Sequence, residues 1–324
     1  MTGSGPGGSF DSLSGVSVLV TGGAGLIGRA AVTALLAEGA RVTVFDRGGL
    51  APASRVDPAA AFVAGDVTDP LAVRQALAGA DAVVHLGGFA GLGLADAAET
   101  YRVNAGGTFT VLAEAASAGV RKVVYASSIN ANGYPLGAAA VLPPVFPYDE
   151  DAPPRISDEY SLSKQAGEDA ARAVHSRWGM SLTGLRFPLV REIGVDGGRV
   201  FGAHLRDALA GDPRRQAAEG WSYLDVADAA RAIVLALLRE TPPAPGILVA
   251  APLTYLSTPT EQALELFAPE VPRRPLAGRS VGLDLGRSAE LLGFAAAVLL
   301  DDVAPEQLVD VTAMAHGAGR GVPR

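Results

Sequence analysis

One segment narrows the possible folds more than any other. The apolar run VSVLV (16–20) leads into TGGAGLIG (21–28), and that leads into RAAVTALLAEG (29–39). Gly22, Gly25 and Gly28 recur at every third position. A strand that ends in such a turn and feeds a helix is the setting in which the glycines have meaning. Gly22 permits the tight turn, Gly25 lets a pyrophosphate approach the backbone, and Gly28 lets the helix pack close to the strand. The helix, predicted over 26–38, would present the N–H groups of its first turn, with Leu26 and Ile27, to an anion. Taken alone, the triplet fits an ordinary strand-to-helix turn equally well.

The rest of the first half repeats the alternation. RVTVFD (41–46), AFVAGDV (61–67), DAVVHL (81–86) and KVVYASS (122–128) read as strands. Helices are predicted after Asp69-Pro70 and over 95–118. Short apolar runs separated by helices indicate a parallel sheet covered on both faces, the doubly wound α/β arrangement of Rossmann type. The Pro-, Gly- and Ala-rich stretch 133–155 breaks the rhythm, and a loop of that length is either functional or disordered. A helix over 157–178 and the strand SLTGLRF (181–187) follow. Beyond them come helices near 200–209, over 227–240 and after Thr258-Pro259, with the strand GILVAA at 246–251. The organisation expected is a flexible leader at 1–14, a nucleotide-binding domain at 15–186, a smaller discontinuous lobe over 187–315 interleaved with it, and a loose tail from His316.

Composition excludes several classes. A net charge of −8 with no basic block argues against nucleic acid. No apolar run approaches the ~20 residues of a membrane helix, and MTGSGPGGSF lacks a signal pattern. With no cysteine, disulfides and thiol catalysis are excluded, and a cytoplasmic protein is the expectation. The four histidines form no pair at metal-ligand spacing, so no metal site is expected.

Asp46 ends the second strand eighteen positions after Gly28, where a carboxylate can accept both ribose hydroxyls of an adenosine and repel a 2′-phosphate. That favours NAD over NADP. Arg47 pulls the other way, because a guanidinium there could hold the extra phosphate. Asp66-Val67 is a candidate for the adenine edge, or a helix-capping turn. Tyr160 and Lys164 stand four apart on a predicted helix and share a face. A nearby ammonium favours the phenolate, as would the positive nicotinamide of an oxidised cofactor, so the pair suits a general base. Ser127 and Ser128 end a strand at the side where parallel sheets bind ligands.

Together these parts resemble the extended short-chain dehydrogenase/reductase family, the NAD-dependent epimerase/dehydratases. The resemblance runs from about 15 to 294. It rests on TGGAGLIG, Asp46, Asp66-Val67, HLGG (85–88), YRVNAGGT around Asn104, ASS (126–128), YSLSK (160–164) and YLDVADAARA (223–232). It implies Ser128, Tyr160 and Lys164 as the catalytic set, with Tyr160 and Lys164 also on the cofactor. Leu86, Gly87 and Gly88 would lie over the cofactor ribose, and His85 would be structural. Asn104 would support the active-site backbone and is counted with the cofactor residues, as are Ala126 and Phe187. Phe89, Ser128, Asn130, Leu189, Arg191 and Trp221 are the implied substrate residues. The resemblance also implies a homodimer formed through the helices near 95–118 and 157–178.

Three departures from the family narrow the function. Ile129 and Asn130 stand where dehydratases carry an Asp-Glu pair, so dehydration is set aside. Leu189 and Trp221 replace an Asn and an Arg that nucleotide-sugar enzymes use on the diphosphate. Arg191, Arg199 and Arg206 remain as possible substitutes or as plain surface charge. The expectation is an NAD-dependent oxidoreductase on a secondary alcohol of a small sugar-like substrate, in a pocket walled by Phe187, Leu189 and Trp221. An epimerase oxidising one carbon transiently is the alternative. A non-catalytic dinucleotide sensor is the third, and the presence of both Tyr160 and Lys164 weighs against it.

Overall fold

The computed structural model describes residues 9–47, 56–134, 136, 141–242 and 244–312. Its strands are β1 (Ser17–Thr21), β2 (Arg41–Asp46), β3 (Ala61–Ala64), β4 (Ala82–His85), β5 (Lys122–Ser128), β6 (Ser181–Phe187), β7 (Leu189–Arg191), β8 (Tyr223–Asp225) and β9 (Ala244–Leu248). Seven of them form one parallel sheet in the order β3-β2-β1-β4-β5-β6-β9. The order reverses between β1 and β4, which opens a crevice beyond the C-terminal ends of those strands. β7 and β8 pair in a small parallel sheet of their own.

The helices are α1 (Leu26–Ala37), α2 (Pro70–Ala76), α3 (Ala97–Tyr101), α4 (Gly107–Ser117), α5 (Glu159–Trp178), α6 (Arg199–Gly211), α7 (Pro213–Ala218), α8 (Val226–Leu238), α9 (Thr260–Phe267), α10 (Gly286–Leu292) and α11 (Leu300–Val303). On one face of the large sheet, Leu35 of α1 and Ile233 and Leu237 of α8 pack with Val20, Val44 and Val84. On the other, Val111 and Leu112 of α4 and Val174 of α5 pack with Leu19, Val83 and Val123. Every strand side chain from β1 and β4 in these clusters is buried, as the unbroken apolar runs require.

Four expectations are adjusted. The helix predicted over 95–118 is α3 and α4 joined by a π-helical turn, Arg102–Gly106, that holds Asn104. A π-turn admits one extra residue without ending a helix, so periodicity cannot reveal it. The third strand ends at Ala64, before Asp66 turns to hydrogen-bond Thr68. The end of the leader is anchored, since Phe10 and Leu13 are buried in the sheet core and the Phe10 amide donates to Leu237 O. The described parts of the Pro-rich stretch are also fixed, with Tyr134, Phe146 and Tyr148 fully buried. Phe146 and Tyr148 join a second core with Phe201, Trp221, Tyr223 and Tyr255, which is the core of the smaller lobe. β9 lies in the large sheet and α8 packs in its core. Residues 1–8 and the expected loose tail from His316 lie outside the described residues. Among the described residues no helix is long and apolar enough to cross a membrane.

Candidate active site

The glycine turn is built by contact as well as by conformation. Gly22 has φ +70°, and a Cβ there would lie 2.6 Å from the Leu86 carbonyl carbon. A Cβ on Gly28 would lie 2.2 Å from Gly22 O, so α1 meets the turn at a distance only glycine allows. Gly25 is the N-cap of α1, with no side-chain cap and no acidic residue in the first turn. The first-turn N–H groups are therefore open to an anion.

From this turn a cleft runs both ways. On one side a hollow of about 380 Å³ is lined by Asp46, Arg47, Asp66, Val67 and Gly87. Asp46 Oδ2 accepts from Ala24 N at 3.0 Å and Oδ1 from Arg47 N at 2.7 Å, which fixes the carboxylate and leaves acceptor capacity on both oxygens. The Arg47 guanidinium stands 5.8 Å from the centre of the Phe89 ring. Asp66 Oδ1 accepts from both the amide and the hydroxyl of Thr68. Burial acts against its charge, yet those bonds, with Arg47 and Arg102 nearby, hold its carboxyl below the usual range. Asp66 thus makes a turn and lines the cleft as well. The cap of α2 is Asp69, which accepts from Leu71 N and Ala72 N.

On the other side the cleft widens to about 670 Å³ and is lined by Leu26, Ile27, Leu86, Gly88, Phe89, Ala126, Ser128, Asn130, Tyr160, Lys164, Phe187, Leu189 and Arg191. Tyr160 is buried one turn before Lys164 on α5, which Asp158 caps by accepting from Ser161 N. Lys164 Nζ lies 5.7 Å from the Tyr160 ring centre and donates to Ala126 O at 3.1 Å. Burial pulls the Lys164 ammonium down to about 8, opposed by Glu168 one turn on. Burial pushes the Tyr160 phenol above its ordinary value, opposed by its hydrogen bond with Ser128 and reinforced by Asp158. In the protein alone, desolvation wins, and a further positive charge is needed beside the ring.

Two assignments change place. Asn104 is buried behind the cleft. It accepts from Phe89 N at 2.8 Å and donates to Phe89 O at 3.0 Å and Ser163 Oγ at 3.2 Å. It clamps the backbone after β4 through Phe89 and lines neither arm of the cleft. Trp221 is also removed from the pocket wall. It is wholly buried in the lobe core, in the cluster that also holds Phe201, Tyr223 and Tyr255, with φ +50°. Arg199 is exposed and paired with Asp196, and Arg206 donates to Gln307 Oε1, so neither lines the cleft. His85 bonds Thr21 Oγ1 at 2.7 Å and Thr108 Oγ1 at 3.0 Å, and burial pulls it down to about 3, a structural residue.

Sequence reasoning missed the far wall. His204, Asp207, Ala208 and Gly211 of α6 face the cleft, followed by Asp212, Arg215, Gln216 and Glu219. The α6 residues follow the i, i+3, i+4, i+7 rule, the one signal available, while Phe201, Leu205 and Leu209 on the adjoining face enter the lobe core. Burial pushes Glu219 up to about 6 against the pull of Arg215, whose Nε is 3.5 Å away. Burial lowers His204, as does Arg191, against Asp207. Also missed was a buried network under β5. Ser127 Oγ donates to Glu168 Oε1 at 2.6 Å, and Arg186 donates to both Glu168 oxygens and to Asn132 Oδ1.

An uncapped helix N-terminus at a glycine turn, a carboxylate at the end of β2 and a Tyr-Lys pair at the far side fit an extended dinucleotide, and they define a dinucleotide-binding oxidoreductase of Rossmann type. A family model, the NAD dependent epimerase/dehydratase family, matches residues 18–251, and the chain belongs to that family of extended short-chain dehydrogenase/reductase enzymes. A 3 beta-hydroxysteroid dehydrogenase/Delta 5→4-isomerase of Mycobacterium tuberculosis is 34% identical over 178 residues, covering 52% of this chain and 45% of its own. An L-arabinose 1-dehydrogenase (NAD(P)(+)) of Haloferax volcanii is 33% identical over 178 residues, covering 52% and 65%. The first matches among curated relatives thus span less than half of those proteins' length. A short-chain dehydrogenase/reductase superfamily protein from Agrobacterium tumefaciens, solved with bound NAD, superposes with a TM-score of 0.65 at 24% identity, covering 94% of this chain and 98% of its own. That likeness speaks to the fold.

Proposed function

We propose that the chain is an NAD-dependent oxidoreductase that transfers hydride between a secondary alcohol, or its carbonyl, of a small sugar-like substrate and the nicotinamide. The observation that carries this is the convergence of Ser128, Tyr160 and Lys164 on one cleft whose other end holds the glycine turn and Asp46. When bound, the cofactor supplies the hydride acceptor and a positive charge near Tyr160. That charge offsets the burial that holds the phenol protonated. Tyr160 then takes the hydroxyl proton as the carbon–hydrogen bond gives up its hydride. Ser128 holds the substrate oxygen. Lys164, anchored on Ala126 O, orients the ribose and stabilises the phenolate. α1, Asp46 and Asp66 hold the pyrophosphate and the adenosine.

The far wall supports the substrate class. Asp207, Asp212 and Glu219 face the cleft with Arg191 and Arg215, three carboxylates against two guanidiniums. That set opposes a nucleoside diphosphate, which needs cations and donors. It equally opposes a polycyclic apolar ligand, which would take these charged groups out of water and offer them no hydrogen bonds. A compact polyol matches a wall of mixed donors and acceptors.

The test is an NAD-reduction screen of sugars, sugar acids and UDP-sugars with wild type and Tyr160→Phe. Stoichiometric NADH with a free sugar is expected, and Tyr160→Phe should lose on the order of 10²–10⁴-fold while NAD binding stays nearly intact. Full activity in Tyr160→Phe overturns the mechanism. Interconversion of a UDP-sugar without NADH build-up promotes the epimerase reading.

A further inference from the structure

Ser128 has one proton and two acceptor sites, and the structure fills both acceptor sites from one residue. Asn130 N donates to Ser128 Oγ at 3.1 Å, and Asn130 Nδ2 donates to the same oxygen at 3.1 Å. The first bond comes with the 3₁₀ turn Ile129–Asn132, which Ser128 caps. The second belongs to the side chain alone. A hydroxyl that accepts twice can interact further only by donating. Its remaining direction serves Tyr160, to which Ser128 is hydrogen-bonded, or an oxygen placed beside it.

The other half of the same amide is unmatched. Asn130 Oδ1 is buried and has no hydrogen-bond partner, although Asn130 stands on the cleft wall. An unpaired buried acceptor is destabilising. Its place on the wall points to a donor that arrives with the ligand. Nδ2 and Oδ1 are the two arms of one rigid planar group. A donor that reaches Oδ1 therefore sits close to the oxygen that Ser128 holds, because Nδ2 of the same amide is 3.1 Å from Ser128 Oγ.

We propose that Asn130 has two linked roles, resting on the oxidoreductase reading above: it makes Ser128 an obligate donor to the reacting oxygen, and its Oδ1 selects substrates with a hydroxyl on the neighbouring carbon. Asn130 is then a positioning residue toward Ser128 and a specificity residue toward a vicinal diol or α-hydroxy carbonyl. The Asp-Glu pair that dehydratases carry at 129 and 130 offers no donor for the first role.

Two measurements test this with the full chain. The first follows NADH formation with D-glucose, D-galactose and D-arabinose and with their 2-deoxy counterparts. Wild type should favour the hydroxylated member by roughly 10- to 100-fold in kcat/KM, the penalty of leaving a buried acceptor unpaired. Asn130→Ala should bring the ratio near one and lower kcat. Asn130→Asp keeps an acceptor and loses the donor, so it should keep the preference while kcat falls. The second needs no substrate. The ultraviolet titration of Tyr160 in the NAD complex, taken as the difference from Tyr160→Phe, should move to higher pH by roughly one unit in both Asn130 variants, because Ser128 no longer offers its proton in a fixed direction. An unmoved titration, or equal rates on the paired sugars with a wild type that requires Tyr160, overturns the proposal. So does weakened NAD binding in Asn130→Ala with the preference unchanged, which would give Oδ1 to the cofactor. Activity that survives Tyr160→Phe would instead sink the reaction assigned to the site.

Discussion

At the scale of single residues, the same side-chain types serve the site and the scaffold, and their surroundings separate them. Asp46, Asp66 and Asp69 all sit near strand ends or helix starts. Asp69 satisfies the amides of Leu71 and Ala72 and is a cap. Asp46 accepts only single bonds from Ala24 and Arg47 and faces the cleft. Removing that carboxylate deletes the acceptors for a ribose and the repulsion of a 2′-phosphate. Wild type is expected to prefer NAD, and Asp46→Ala should narrow or reverse the NAD/NADP ratio of KM values. A wild type that already prefers NADP would assign the selection to Arg47.

At the scale of elements, the site depends on how closely α1 approaches β1. The pattern of glycines was legible because strand, turn and helix are consecutive, and local sterics act within a few residues. Gly28→Ala places a methyl against Gly22 O, where the backbone rather than a side chain has to give way. It should weaken NAD binding by more than about tenfold and lower stability by about 1–3 kcal/mol. Calorimetric titration with NAD and a thermal melt check both, and unchanged NAD affinity would remove the turn from the cofactor site. The π-turn at Asn104 and the cleft-facing side of α6 were not legible in the same way. The first is a one-residue register change paid for by contacts with Phe89 and Ser163. The second depends on which face of an amphipathic helix meets the lobe core.

At the scale of the whole molecule, burial sets charge states that no local pattern reveals. Glu219 is held near 6 against an ordinary 4.5. Between those values the native state binds more protons than the unfolded chain, so stability falls as pH rises through the window and the loss is complete above about 6. Glu219→Gln should therefore match wild type near pH 4.5 and exceed it above pH 6 by on the order of 1–2 kcal/mol, read as a rising difference in Tm. A constant difference across the range would show that Glu219 does not titrate there. Tyr101, Phe109 and Leu162 are large apolar side chains exposed on α3, α4 and α5. We propose them as the homodimer contact. Phe109→Glu with Leu162→Glu should halve the mass in analytical ultracentrifugation, and a wild type that is already monomeric rejects it.

The sequence alone determined the strand–turn–helix unit, the alternation of strands and helices, the Tyr160–Lys164 face and the ends of β2 and β5, because each rests on residues a few positions apart. Only the tertiary structure decided that Trp221 belongs to the lobe core, that Asn104 clamps the backbone at Phe89, and that Asp207, Asp212, Arg215 and Glu219 form the far wall. It alone showed Asn130 filling both acceptor sites of Ser128. Those facts depend on which segments, far apart in the chain, meet across the cleft and how much water their meeting excludes.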